Sequence, residues 1–355
     1  MPVTYIMVFL GALISSLLIT PTIIRLAHKL NILDIPNPKN PGKIHKDPIA
    51  LMGGLAIYLS ILLISCIFLE LSFKLVGIFI SMTVLLALGI ADDLRNLDYR
   101  FRLWVQFAVA LAIIFILDIK IEFLADYPLI GYPLTLLWII GVTNALNLMD
   151  NVDGATSGVS FLASAGLFIF AWINQDALSA VISLALAGSC LGFLYFNFKP
   201  ASIFLGDTGS LLLGVTLATL ALMETRYFSL SFNHALILPF VIGVPIFDTT
   251  LATLLRLYHR RPIYMADKSN LTYRLFEMGF SQVETVIIEY VMAVFFIGSG
   301  FLLWRSSPAQ SLLIVLGVGS LAILFGLRCA SAGKTEKKIA TQRLVTSRAR
   351  SRAHY

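Results

Sequence analysis

Charge is scarce in this sequence. Only 13% of its 355 residues are Asp, Glu, Lys or Arg, and 58% are hydrophobic, against roughly 25% and 45–50% in a soluble domain. That balance excludes an ordinary water-soluble enzyme. Cysteine is scarce too: Cys66, Cys190 and Cys329 lie far apart with no CxxC spacing, which excludes a disulfide framework and a zinc site. No Ser-His-Asp or Cys-His set stands out among the polar motifs. The opening residues MPVTYIM lack the basic segment of a cleavable secretory signal, so the first apolar stretch reads as a retained helix.

Apolar runs are abundant. Stretches nearly free of charge cover about eleven segments, 4–26, 51–71, 74–91, 102–118, 128–148, 156–174, 177–197, 208–224, 233–257, 285–306 and 309–327. Each can cross a hydrocarbon core of about 30 Å as a helix. The expected fold is therefore an all-α integral membrane protein of about eleven transmembrane helices. Residues 1–330 form its transmembrane domain, and 331–355 a basic tail expected to be disordered and able to rest on anionic lipid headgroups. Of the 26 basic residues, all but Lys74, Lys120, Arg226 and Arg305 fall in the odd-numbered connections or the tail. The positive-inside rule makes that side cytoplasmic. Topology accounts for the net charge of +6 better than nucleic-acid binding does, and no nucleic-acid partner is expected.

The polar motifs share that side. Ionisable residues at membrane depth are costly and are usually kept for binding or proton transfer. The third span ends LALGIADDLRNL. Neighbouring helical residues point about 100° apart, so Asp92 and Asp93 are expected to play different roles rather than chelate one ion together. In NALNLMDNVDGATSG, Asn144, Asn147, Asp150 and Asp153 recur every third residue. A helix would gather the first three on one oxygen-rich face suited to magnesium; an Asx-rich turn closing the helix is the plainer alternative. YFNFKPASIFLGDTGSLLLG joins Asn197, Lys199 and Asp207 as a loop entering a helix, where backbone N–H groups could face an anion or Asp207 could simply cap. KIHKDPIALMGG supplies Lys43 and His45, and the segment from PIFDT to TYRL supplies Asp248 and Arg274. Arginine forks match phosphates, although topology alone also explains basic loops. Hard-metal ligands beside cations, without a nucleophile set, point to phosphoryl-type transfer. An ion-coupled lipid or sugar transporter is the competing class, and it would place its charges near the midplane within repeated halves.

In their order, KIHKDPIALMGG, ADD, NALNLMDNVDG, NFKPASIFLGDTGS and PIFDT resemble the polyprenyl-phosphate N-acetylhexosamine-1-phosphate transferase family over nearly the whole chain. The resemblance implies ten or eleven helices around a cytoplasmic cleft of a multi-pass plasma-membrane enzyme, and it admits a homodimer. It implies attack of polyprenyl phosphate on the sugar-bearing phosphorus of a UDP-N-acetylhexosamine with release of UMP. It also implies a magnesium ion, with manganese as substitute, on Asp207 assisted by Asn147. Catalytic roles fall on Asp92, Asp93, Asp150 and Asp153, and substrate-binding roles on Lys43, His45, Asn144, Asn197, Asp248 and Arg274. One departure stands out. Bacterial members carry a motif such as HIHHRL where this chain has Asn270, Leu271, Thr272, Tyr273, Arg274 and Leu275, which implies altered donor recognition.

Overall fold

The computed structural model describes residues 2–35, 47–228, 232–263 and 268–352. Lys43 and His45 lie outside the described residues. Thirteen α-helices follow one another: α1 (Pro2–Leu30), α2 (Gly53–Phe68), α3 (Phe73–Arg95), α4 (Tyr99–Phe115), α5 (Pro128–Met149), α6 (Ala155–Ile173), α7 (Ala177–Asn197), α8 (Gly206–Glu224), α9 (Phe232–Val241), α10 (Gly243–Tyr258), α11 (Leu271–Glu277), α12 (Gln282–Trp304) and α13 (Pro308–Arg352). Short side chains set several of their starts by accepting orphan backbone N–H groups. Ser72 caps α3 through Leu75, Asp176 caps α7 through Ser179, and Ser281 with Glu284 forms a capping box on α12.

Eight of these helices are long and apolar enough to cross a membrane, so the chain is an all-α membrane protein. All the apolar stretches of the sequence are helical, but α2 and α4 have only 16 and 17 residues. The run 233–257 is not one straight span. It is split into α9 and α10, bent by 82°, because Pro245 has no N–H to offer the carbonyl of Val241 and so cannot continue the ladder across the break. Past its apolar part, α13 carries the basic tail as helix to Arg352. That segment, expected to be disordered, carries several Lys, Arg and Ala residues, which favour helix.

Burial ranks the helices. For α8, 89% of its apolar window is covered by protein, against 17% for α13 and 22% for α1. The bundle is thus built around α8, with α2, α3, α5 and α6 packed on it, while α1 and α13 face outward. Several hydroxyls inside the bundle turn back to carbonyls four residues earlier, as Thr216 does to Leu212, Thr219 to Val215 and Thr143 to Ile139, which satisfies these three within their own helices. At one end Asn174 donates to Glu224, and Arg226 lies 3.7 Å from Asp176. At the other end β1 (Leu33–Asp34) and β2 (Ile49–Ala50) pair antiparallel, and Ala50 bridges to Ile203. This small sheet fastens the α1–α2 connection to the loop before α8.

Candidate active site

The loop before α8 opens on a polar cavity of about 760 Å³. It is lined by Asp34, Asp47, Asp93, Asp150, Asp153 and Asp207, with Asn197, Lys199, Tyr273 and Gln282 among its other residues. Among the described residues, Lys199 is the one basic side chain in that lining.

The start of α8 organises the site. Gly206 precedes Asp207 with φ +69, and a Cβ there would stand 2.6 Å from Asp93 Oδ2, so both backbone and space require glycine. Asp93 of α3 then accepts the Asp207 N–H at 2.8 Å, the Thr208 N–H at 3.1 Å and the Thr208 hydroxyl at 2.6 Å. The anion that the sequence suggested for this helix start is a carboxylate of the protein itself, matching the positive end of the α8 dipole. With its oxygens engaged, Asp93 fixes Asp207 rather than offering itself as a ligand.

Asp92 turns elsewhere. It is 3% exposed, accepts the Leu97 N–H at 2.6 Å and is paired with Arg102 of α4. The Arg102 guanidinium also lies 3.7 Å from Asp207. Sequence reasoning did not single out Arg102. The available signal was an arginine at the first turn of an apolar helix ten residues after the aspartate pair.

The period-three residues of α5 part company. Asn147 donates to Asp207 and, at 2.9 Å, to Ser210, so it presents its amide N–H to the carboxylate. Asn144, expected to bind substrate, does not line the cavity; its amide is spent on Gln106 and on the carbonyl of Ile140. Asp150 lies past the end of α5 and faces the cavity. Asp153 accepts the Ala201 N–H at 3.4 Å. Asn197 borders the cavity; its Oδ1 accepts from Gly154 and Ser157 and its amide donates to Ile203, where it ties the Asp150–Asp153 turn to the loop before α8.

Two expected substrate residues lie elsewhere. Asp248 is 1% exposed and accepts the Leu271 N–H at 2.5 Å, so it anchors α11 instead of facing ligand. Arg274 pairs with Glu277 at 2.7 Å and is absent from the cavity lining. From the segment that replaces the histidine motif, Asn270 caps α11, Thr272 donates to Glu289 at 2.8 Å, and Tyr273 reaches the cavity.

The donor set fits a hard cation. Among the described residues no group of three or more His, Cys, Asp or Glu side chains could hold an ion alone. Magnesium, where bound, takes one or two carboxylates and completes its shell with water and substrate phosphates. Asp207 and Asp150 are two of the carboxylates that line the cavity. Burial above all, and then the charges of Asp207, Asp93 and Asp153, push the Asp150 carboxyl up from 3.8 to about 8, against a lowering hydrogen bond from Thr156. A carboxyl that unfolded chain ionises near 3.8 thus keeps its proton in the folded protein up to about 8. Stability is then present at low pH and is lost as pH rises through that window, because the folded state binds more protons. The thermal midpoint of metal-free protein in detergent should therefore fall between pH 4 and 8, and Asp150→Asn should flatten that fall. An unchanged pH slope in the variant would contradict this account.

Comparison with known proteins agrees with the geometry. Residues 75–225 match the family described as glycosyl transferase family 4. The chain is 34% identical over 321 residues to a Bacillus subtilis protein named "Probable undecaprenyl-phosphate N-acetylglucosaminyl 1-phosphate transferase", covering 87% of this chain and 88% of that one. It is 30% identical over 306 residues, 75% of each chain, to the decaprenyl-phosphate N-acetylglucosaminephosphotransferase of Mycobacterium leprae. Over a shorter stretch of 131 residues it is 42% identical to the phospho-N-acetylmuramoyl-pentapeptide-transferase of Heliobacterium modesticaldum, covering 37% of this chain and 38% of that one. With α4 to α8 inside the matched region and carboxylates from α3, from the turn after α5 and from α8 brought to one cavity, the chain belongs to glycosyl transferase family 4, as a member of its polyprenyl-phosphate N-acetylhexosamine-1-phosphate transferases.

Proposed function

We propose that this protein transfers N-acetylglucosamine-1-phosphate from UDP-N-acetylglucosamine to a polyprenyl phosphate at the cytoplasmic face of the plasma membrane, with magnesium, and so starts a lipid-linked envelope glycan. The observation that carries this reading is the placement of two unlike cavities on one helix. An apolar groove of about 790 Å³ runs along α5 from Ile130 to Ala145 and is closed by Leu238, Pro239 and Ile246 of the bent α9–α10 pair. Ala145 stands five residues before Asp150, which is about 7.5 Å of helix rise. A prenyl chain fits the groove while its phosphate reaches the carboxylate cavity.

An oxygen of the acceptor phosphate attacks the phosphorus that carries the sugar. The bond from that phosphorus to the bridging oxygen breaks, and UMP leaves with the electron pair. Such transfers depend on alignment and charge neutralisation more than on covalent help from the protein. A divalent cation held by Asp207 and Asp150 would supply the neutralisation that this acidic cavity lacks. Asp93 keeps the Asp207 backbone in place, Asn147 orients its carboxylate, and Arg102 brings positive charge beside both Asp92 and Asp207. Convergence of the carboxylates at one end of the bundle, rather than halfway along it, favours transfer over transport. The cytoplasmic side is supported by Arg95, Arg100, Lys199 and Lys268, which lie at the end of the bundle that holds the cavity.

The test is UMP release by detergent-purified protein given polyprenyl phosphate, magnesium and, in turn, UDP-N-acetylglucosamine, UDP-N-acetylgalactosamine and UDP-N-acetylmuramoyl-pentapeptide. Magnesium-dependent release with the first donor alone is expected. Release with the pentapeptide donor instead would overturn the sugar assignment, and silence with every donor from folded protein would overturn the reaction.

A further inference from the structure

One turn below the site, α4 and α5 are joined by a pair of amides. Gln106 is 3% exposed. Asn144 donates to its Oε1 at 2.5 Å, and Gln106 Nε2 returns a longer contact of 3.5 Å to Asn144 Oδ1. Residues three and four apart share a helix face. Gln106 therefore lies below Arg102 on α4, and Asn144 below Asn147 on α5. Those upper two residues are the ones that meet at Asp207, Arg102 at 3.7 Å and Asn147 as donor. The polar contacts form two layers: a lower one linking α4 to α5, and an upper one in which both helices reach α8.

We propose that Gln106 and Asn144 are positioning residues, whose reciprocal amide pair sets the rotation of α4 against α5 so that Arg102 and Asn147 converge on Asp207. This rests on the reading of Asp207 and Arg102 given above. Neither amide lines the cavity, so neither touches substrate. Among the described residues α4 makes its substantial helix contacts with α3 and α5 only, so little else fixes its rotation. Its far end meets α5 through the rings of Phe115 and Tyr132, 5.1 Å apart, and aromatic contact tolerates sliding. An amide pair does not, because each donor has one acceptor in reach and the bonds are directional. Being uncharged, the pair can sit among apolar helices without the cost of a buried ion pair.

The test is a cycle of variants: Gln106→Ala, Asn144→Ala, the length exchange Gln106→Asn with Asn144→Gln, and the apolar isosteres Gln106→Met with Asn144→Leu. Each is made with Arg102 present and with Arg102→Ala, and kcat, KM and the thermal midpoint in detergent are read for all. Single alanines should lower kcat by about 10–100-fold, as expected for a misplacement near 1 Å, with KM for the nucleotide sugar within about threefold. The exchange should recover most of the loss. The isosteric pair leaves no buried amide unsatisfied and should fold, yet should lose kcat as the single alanines do. With Arg102→Ala, Gln106→Ala should add less than about a threefold further loss, because its effect passes through that arginine. Retained kcat in the isosteric pair, or losses that multiply with Arg102→Ala, would overturn the proposal. The midpoints need no turnover: non-additive shifts between positions 102 and 106 support positioning and additive shifts refute it. A wild type silent with every donor would instead sink the functional reading.

Discussion

Asp207→Ala should reduce UMP release by at least about 10³-fold, equivalent to about 4 kcal/mol of transition-state stabilisation. The side chain is about one-third exposed to the cavity, receives the Asn147 amide, and stands 3.7 Å from the Arg102 guanidinium. Alanine deletes the carboxylate but keeps the backbone N–H that Asp93 holds, so the start of α8 should survive. Asp207→Asn separates charge from shape. It preserves an acceptor for Asn147 but brings no negative charge to a cation, and should lose nearly as much activity. Because Asp34, Asp47, Asp93, Asp150 and Asp153 share the cavity, removing one negative charge should also raise the thermal midpoint, the usual exchange of stability for function at an active site. An Asp207→Asn variant keeping more than a tenth of wild-type turnover would remove this residue from the metal-holding role.

Hydropathy located the helices because length and apolarity are properties of a segment. It could not show the α9–α10 break, since Phe232–Val241 and Gly243–Tyr258 are continuous in apolarity and only the backbone geometry around Pro245 divides them. The carboxylates of ADD, DNVD and GDTGS were legible as one cluster, being polar groups at the ends of apolar runs, and the fold gathers them around the start of α8. Their partners were not legible. Nothing in the sequence says that Asp93 seats the start of α8 while Asp92, one residue earlier, takes Arg102. Asn144 and Asn147 share a period, yet they reach different helices, because period defines a face and not what stands opposite it. Asp248 and Arg274 were expected to bind substrate, Arg274 because an arginine fork suits phosphate and Asp248 because the resemblance implied it. Packing of α10, α11 and α12 instead uses one to anchor a backbone N–H and leaves the other paired within its own helix.

The same dependence of the site on packing gives Gly89→Ala a large expected effect, although residue 89 touches no ligand. A Cβ at Gly89 would fall 2.4 Å from Thr208 Cα and 2.5 Å from both the Asp207 carbonyl oxygen and the Thr208 nitrogen. All three are main-chain atoms, so no rotamer change relieves the clash. Helix α8 is also met from the other side, where a Cβ at Gly54 would lie 2.4 Å from Gly209 Cα. The methyl group must therefore push α3 and the start of α8 apart by about 1 Å to restore ordinary contact. Gly89 precedes Asp93 by one helical turn, so that displacement acts on the three hydrogen bonds that Asp93 accepts from Asp207 and Thr208. A misplacement of that size can cost about 10²-fold in rate. Gly89→Ala should accordingly lose about 100-fold in kcat while still folding, and Gly89→Val should lose more together with a lower thermal midpoint. The control is Gly298→Ala on α12, where an added Cβ meets nothing within 4 Å and turnover should stay near wild type. Equal activity in the Gly89→Ala and Gly298→Ala variants would mean that the contact between α3 and α8 does not set the geometry of Asp207.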